Sequence, residues 1–65
     1  MTRRWETTTR FFEFEVHGYL VTFRYGPLGG TGYRLLRTFP TEDHAAEEAL
    51  QLAHAKEARG YRMVA

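Results

Sequence analysis

From Phe12 the run "RFFEFEV", residues 10–16, alternates apolar and polar positions. Phe12, Phe14 and Val16 fall on one face of an extended chain, and Phe11, Glu13 and Glu15 fall on the other, as in a half-buried strand. A second run of the same kind, "YLVTFRY" at 19–25, follows after His17-Gly18. Two residues ending in glycine between two such runs predict a hairpin turning at His17-Gly18. In that register Val16 faces Tyr19, Phe14 faces Val21 and Phe12 faces Phe23, so every apolar pair lies on one face. On the other face Arg24 stands across from Phe11 and diagonal to Glu13, in reach of a surface ion pair, while Arg10 stands opposite Tyr25.

The segment 26–32 holds four glycines and a proline. It leads to "YRLLRTF" at 33–39, a third strand whose adjacent Leu35 and Leu36 leave its buried face undecided. Ahead of the hairpin, "TRRWE" reads as a short first strand, with Trp5 in the core or at the sheet edge. Pro40-Thr41 announces a helix: Thr41 is an N-cap residue, and Glu42 and Asp43 occupy the first turn, where the helix dipole favours acids. The helix is expected to run to about Arg59 and stop at Gly60. Ala45, Ala46, Ala49, Leu50, Leu52 and Ala53 make one stripe. Lys56 falls within it, its stem packing and its ammonium reaching out. "YRMVA" closes the chain as a short last strand. The predicted fold class is α+β: a small antiparallel sheet of four or five strands with one helix packed on one face.

Composition narrows the chemistry. A chain of 65 residues forms one domain, 1–65, and its ten aromatic rings must supply the core. Cysteine and serine are both absent. That excludes a disulfide scaffold, thiolate zinc sites, cysteine nucleophiles and serine-hydrolase chemistry. No apolar run is long enough to span a membrane, and "MTRRWETTTR" lacks the apolar segment of a signal peptide, so a soluble, cytoplasmic protein is expected. Net charge is only +1, yet residues 1–40 carry a surplus of +3 and residues 41–65 a deficit of −2. A basic face is therefore available.

The glycine segment is not a phosphate cradle of a known kind. A P-loop needs G-x-x-x-x-G-K-[ST] ahead of a helix, and here no lysine follows and the next element is a strand. The dinucleotide fingerprint G-x-G-x-x-G fails because Gly30 and Gly32 lead to Leu35, and no helix N-terminus is offered to a phosphate. Glu13 and Glu15 are read as a solvated face, and His17, His44 and His54 do not converge. No nucleophile–base pair, metal set or cofactor motif is present, so no enzyme activity and no cofactor are expected.

In its order of elements the chain resembles the WGR domain family. The resemblance covers "RFFEFEVHGYLVTFRYGPLGGTGYRLLRTFPTEDHAAEEALQLAHAKEARGYRMV", nearly the whole sequence. It comprises an aromatic first strand, a hairpin, an aromatic-Gly opening, a glycine loop, a strand ending in Phe39, a helix carrying Lys56, and the closing Gly60-Tyr61. The resemblance implies a compact antiparallel sheet with one helix and a binding rather than catalytic role. WGR domains stand beside the catalytic part of certain poly(ADP-ribose) polymerases, where they bind DNA ends and touch neighbouring domains. They also occur in small bacterial proteins. Where the family has Trp-Gly-Arg, this chain has Tyr25-Gly26-Pro27. Tyr25 keeps a ring that can stack on a sugar or a terminal base. Pro27 offers neither the guanidinium nor a backbone N–H.

Two function classes follow. The first is a non-enzymatic DNA-binding module, with Arg10, Arg24, Tyr25, Gly26, Arg34 and Arg37 as the expected nucleic-acid contacts. For each arginine the ordinary alternative is solubility or cation–π packing, and for Tyr25 it is the edge of the core. The second class is an adaptor that docks a separately encoded protein partner through the sheet face or the acidic helix, which Pro27 and the modest net charge favour. Whether the chain self-associates through an exposed strand edge is open at this level.

Overall fold

Alternation in the hairpin produces two long neighbouring strands in the computed structural model, which describes residues 1–65. The elements are β1 (Thr2–Glu6), β2 (Arg10–His17), β3 (Leu20–Pro27), β4 (Tyr33–Thr38), α1 (Glu42–Glu57) and β5 (Arg62–Met63). They build an antiparallel five-stranded sheet in the order β4-β3-β2-β1-β5, with α1 across one face. This is the α+β plan the sequence predicts.

The hairpin differs from expectation in its turn. Gly18-Tyr19, not His17-Gly18, forms the two-residue connection, and His17 pairs with Leu20. Gly18 has φ +63° and no non-glycine residue has positive φ, which is the pattern of a type II′ turn with glycine first. A turn at His17-Gly18 would instead force positive φ on histidine, at a cost that glycine avoids. Moving the turn by one residue moves every partner by two. Val16 now faces Val21, Phe14 faces Phe23, Phe12 faces Tyr25, and Arg10 faces Pro27 rather than Tyr25. All side chains keep their faces, so the matching of apolar faces supported both registers equally.

The core lies between the sheet and α1. Trp5, Phe12, Phe14 and Phe23 supply its rings, with centroids 5.4–6.4 Å apart. Ala45, Ala49 and Ala53, one turn apart, are fully buried against them, and their small size lets the helix axis approach the rings. Leu50 and Leu52 stay exposed. Only the row of alanines is fully buried in the helix, so the expected stripe is narrower than the sequence suggests. Thr41 Oγ1 accepts the His44 N–H at 3.1 Å, which caps the helix start. The helix ends two residues earlier than expected. Gly60 N–H donates to the Glu57 carbonyl at 3.0 Å and Tyr61 N–H to the Lys56 carbonyl at 3.1 Å, the paired bonds of a Schellman stop. The Trp5 indole N–H donates to Glu57 Oε2 at 3.0 Å, tying β1 to the last helical turn.

Candidate nucleic-acid interface

Phe11 points away from the helix, onto the face expected to be solvated, yet it is 0% exposed. The glycine segment covers it. Residue 32 crosses over the base of the loop so closely that a Cβ on Gly32 would lie 2.5 Å from the Tyr25 carbonyl oxygen and 2.7 Å from Phe11 Cζ. A Cβ on Gly26 would lie 2.9 Å from Gly32 Cα. Gly32 also sits at φ +73°. Both glycines are required by close approach of backbone to backbone, not by a ligand. The sequence signal was the doublet Phe11-Phe12: one of two adjacent rings must face each side of a strand, so each side needs a cover.

Charged side chains complete that cover. Arg4 lies over the Phe11 ring with its guanidinium carbon 4.3 Å from the centroid. Its Nε donates to Glu6 Oε2 at 2.8 Å and its Nη1 to Glu13 Oε1 at 2.6 Å. Arg24 approaches the same Glu13 at 3.8 Å and donates from Nη2 to the Thr31 carbonyl at 3.0 Å. The series Glu6, Arg4, Glu13, Arg24 and Thr31 thus straps β1, β2 and β3 to the glycine loop. The hydrogen bond to Glu6, and after it that to Glu13, hold the Arg4 pKa above its ordinary value against partial burial, which pulls it down.

The six expected contact residues divide between the two faces. Arg24 and Arg34 are cross-strand neighbours on the face away from the helix. They border an open concavity of about 540 Å³ that Glu13 and Glu15 also line, so its charge is mixed. Tyr25 and Arg37 lie on the helix face, where the strand alternation also puts Arg10, exposed and diagonal to Tyr25. Gly26 is buried beneath Gly32. Arg10, Arg34 and Arg37 have no carboxylate within 4.0 Å, whereas Arg24 is engaged in the strap.

Tyr25 does not stand alone. It pairs with Tyr33 across β3 and β4, ring centroids 6.1 Å apart, and Tyr33 is 72% exposed. The two rings form an open aromatic step at the root of the pinned loop. Tyr33 is not among the contacts expected from the sequence: no pairing of the third strand follows from its pattern, and only the β3–β4 ladder sets it opposite Tyr25. Lys56, expected to pack its stem and reach outward with its ammonium, brings Nζ to 5.5 Å from the Phe12 centroid and 5.3 Å from that of Tyr61, beside this same face. No three His, Asp or Glu side chains come together as a metal site, and no helix is long and apolar enough to cross a membrane.

Residues 1–65 match the family model described as the WGR domain. Among solved structures, a crystal structure of a protein from Bacteroides fragilis is similar with a TM-score of 0.93 and 26% sequence identity. The match covers 100% of this chain and 20% of that one, so this chain spans about a fifth of that protein's length. No curated protein matches. The match over the full length of the chain, on a sheet, helix and pinned glycine loop in the expected order, means that this chain belongs to the WGR domain family, a nucleic-acid-binding type of module.

Proposed function

We infer that this domain is a non-enzymatic, cytoplasmic DNA-binding module and that it engages the end of a strand at the root of its glycine loop. The observation that carries this reading is the exposed Tyr25–Tyr33 step, 6.1 Å between centroids, held beside arginines without carboxylate partners. Aromatic faces accept a terminal base or sugar, and free guanidiniums take the flanking phosphates. Arg10 and Arg37 share the face of the tyrosines, Gly26 fixes the loop that frames them, and Arg34 reaches the backbone from the other side of the same edge. Arg24 contributes by holding Thr31, and with it the loop, in place. Pro27 removes the one guanidinium that family members present from the loop itself, so the rings and strand arginines carry the affinity.

The test is titration of a labelled short duplex at several salt concentrations, with a closed hairpin-ended duplex of the same sequence beside it. The expected result is an affinity that falls steeply with salt, favours the open-ended duplex, and drops by about 1–3 kcal/mol in Tyr33→Ala. No binding at low salt removes the proposal.

A further inference from the structure

We propose that the free edge of β4, with the groove between β4 and α1, is a docking site for an extended acidic peptide that adds to the sheet as a sixth strand. All six residues of β4 are exposed, and β4 ends the sheet. Which of its backbone groups are free follows from the ladder. Leu28 N–H donates to the Thr9 carbonyl and Phe39 N–H to the Tyr19 carbonyl, each at the end of a strand pair. Counting in from both by the antiparallel alternation turns the even residues of β3 toward β2 and the odd ones toward β4. In β4, residues 33, 35 and 37 therefore bond to β3, and Arg34, Leu36 and Thr38 present N–H and C=O groups outward. Such a row is completed by another backbone in extended form.

Beside this edge, on the helix face, lies a groove of about 270 Å³ lined by Phe12, Phe23, Tyr25, Leu35 and Leu52 and flanked by Arg37 and Lys56. No acidic residue lines it, and neither cation has a carboxylate within 4.0 Å. An occupant that satisfies the site carries an apolar side chain against Leu35 and Leu52 and carboxylates beside Arg37 and Lys56. A second copy of this chain brings arginines to its own edge and meets them with like charge, whereas an acidic strand is complementary. The apolar floor and the repeating backbone edge favour a peptide over nucleic acid, whose phosphates match the cations but not the row of amides. This surface adjoins the Tyr25–Tyr33 step, since Tyr25 lines the groove and belongs to the step, but its row of outward backbone groups lies along β4 and not on the rings.

A peptide residue opposite Leu35 or Arg37 points its side chain to the helix face and its own N–H away from β4. The residues between them turn their N–H groups toward β4. The probe is a terminally blocked heptapeptide alternating threonine with glutamate, leucine and glutamate in turn, which reads alike in either strand direction. It is added to the isotopically labelled full chain, with amide shifts and hydrogen exchange as readouts. Expected are shifts and slowed exchange at the N–H groups of Arg34, Leu36 and Thr38. N-methylation of the threonine amides is expected to weaken binding about tenfold or more, and methylation of the glutamate and leucine amides far less. The variant Arg37→Glu with Lys56→Glu, checked for an unchanged urea midpoint, is expected to lose about tenfold. Absence of shifts, equal loss from both methylation patterns, or shifts confined to the face away from the helix overturns the proposal. A short DNA duplex that gives the same amide protection overturns it too, by assigning the edge to nucleic acid.

Discussion

Replacing Gly32 by alanine tests how the glycine loop is held. At φ +73° an L-residue costs about 1–2 kcal/mol relative to the right-handed region. The added methyl also meets the Tyr25 carbonyl oxygen at 2.5 Å and Phe11 Cζ at 2.7 Å, and the first of these is backbone with no rotamer to escape into. Relieving that overlap requires the loop crossing to open, which in a tightly packed place costs about 1–3 kcal/mol more. Stiffening the unfolded chain returns about 0.4–1 kcal/mol. The net loss expected for Gly32→Ala is therefore about 1–4.5 kcal/mol, a large share of the stability of so small a domain.

Gly29→Ala is the control, because Gly29 also has positive φ, +87°, but a Cβ there meets nothing within 4 Å. Only the conformational cost and its partial refund apply, so a loss of about 1.5 kcal/mol or less is expected. Urea unfolding followed by fluorescence of the one tryptophan measures both, since Trp5 is buried in the core and reports global unfolding. If Gly32→Ala and Gly29→Ala cost the same within about 0.5 kcal/mol, the loop is not pinned over Phe11 and the account of the site fails.

Glu57 sits in the last helical turn, where the dipole disfavours an acid by about 0.3–1 kcal/mol. Its hydrogen bond from the Trp5 indole outweighs that, so Glu57→Ala is expected to lose about 1–2 kcal/mol and Glu57→Gln less than about 1, both read by urea unfolding. Arg4 has its pKa raised in the fold, so its contribution is complete below the unfolded value and is lost only as pH rises through the folded one. The difference in urea midpoint between the wild type and Arg4→Met is accordingly expected to be the same at about pH 7 and about pH 9.5, and shrinkage at the higher pH contradicts the charged strap.

Elements were legible where one residue type decides them. Thr41 with Glu42 and Asp43 marked the helix start, Gly60 its end, and the alternation of Phe12, Phe14 and Val16 marked a strand and its inner face. The hairpin register was not, because shifting the turn by one residue leaves side-chain parity untouched; only the φ demanded at Gly18 decides between the two. The cover over Phe11 was out of reach for a different reason. It is assembled from Arg4, Glu13, Arg24 and Gly32, which lie on three strands and a loop, and no local pattern relates them. Phe11 shares its face with Glu13 and Glu15, whose polarity marks that face as solvated and hides the one ring on it. The candidate site was half legible: Tyr25 and the arginines are named by residue type, but the faces of Arg34 and Arg37 depend on how β4 pairs with β3, which the doublet Leu35-Leu36 left undecided.

The strap has a consequence for binding. Arg24 and Arg34 are directly opposed across β3 and β4, and like charges at that spacing repel unless a carboxylate or carbonyl intervenes. Here Glu13 and the Thr31 carbonyl hold Arg24, so Arg34 is left with its charge unmatched at the sheet edge. The same set of bonds that packs the loop onto Phe11 thus determines which arginine is free for an anion and which is not. Folding and the proposed recognition draw on one pool of guanidiniums, and Glu13 holds two of them, Arg4 and Arg24. Removing Glu13 would release Arg24 to a phosphate while loosening the loop that frames the tyrosines. A gain in electrostatic attraction would then come with a loss of the rigid step that the proposed function gives to a base.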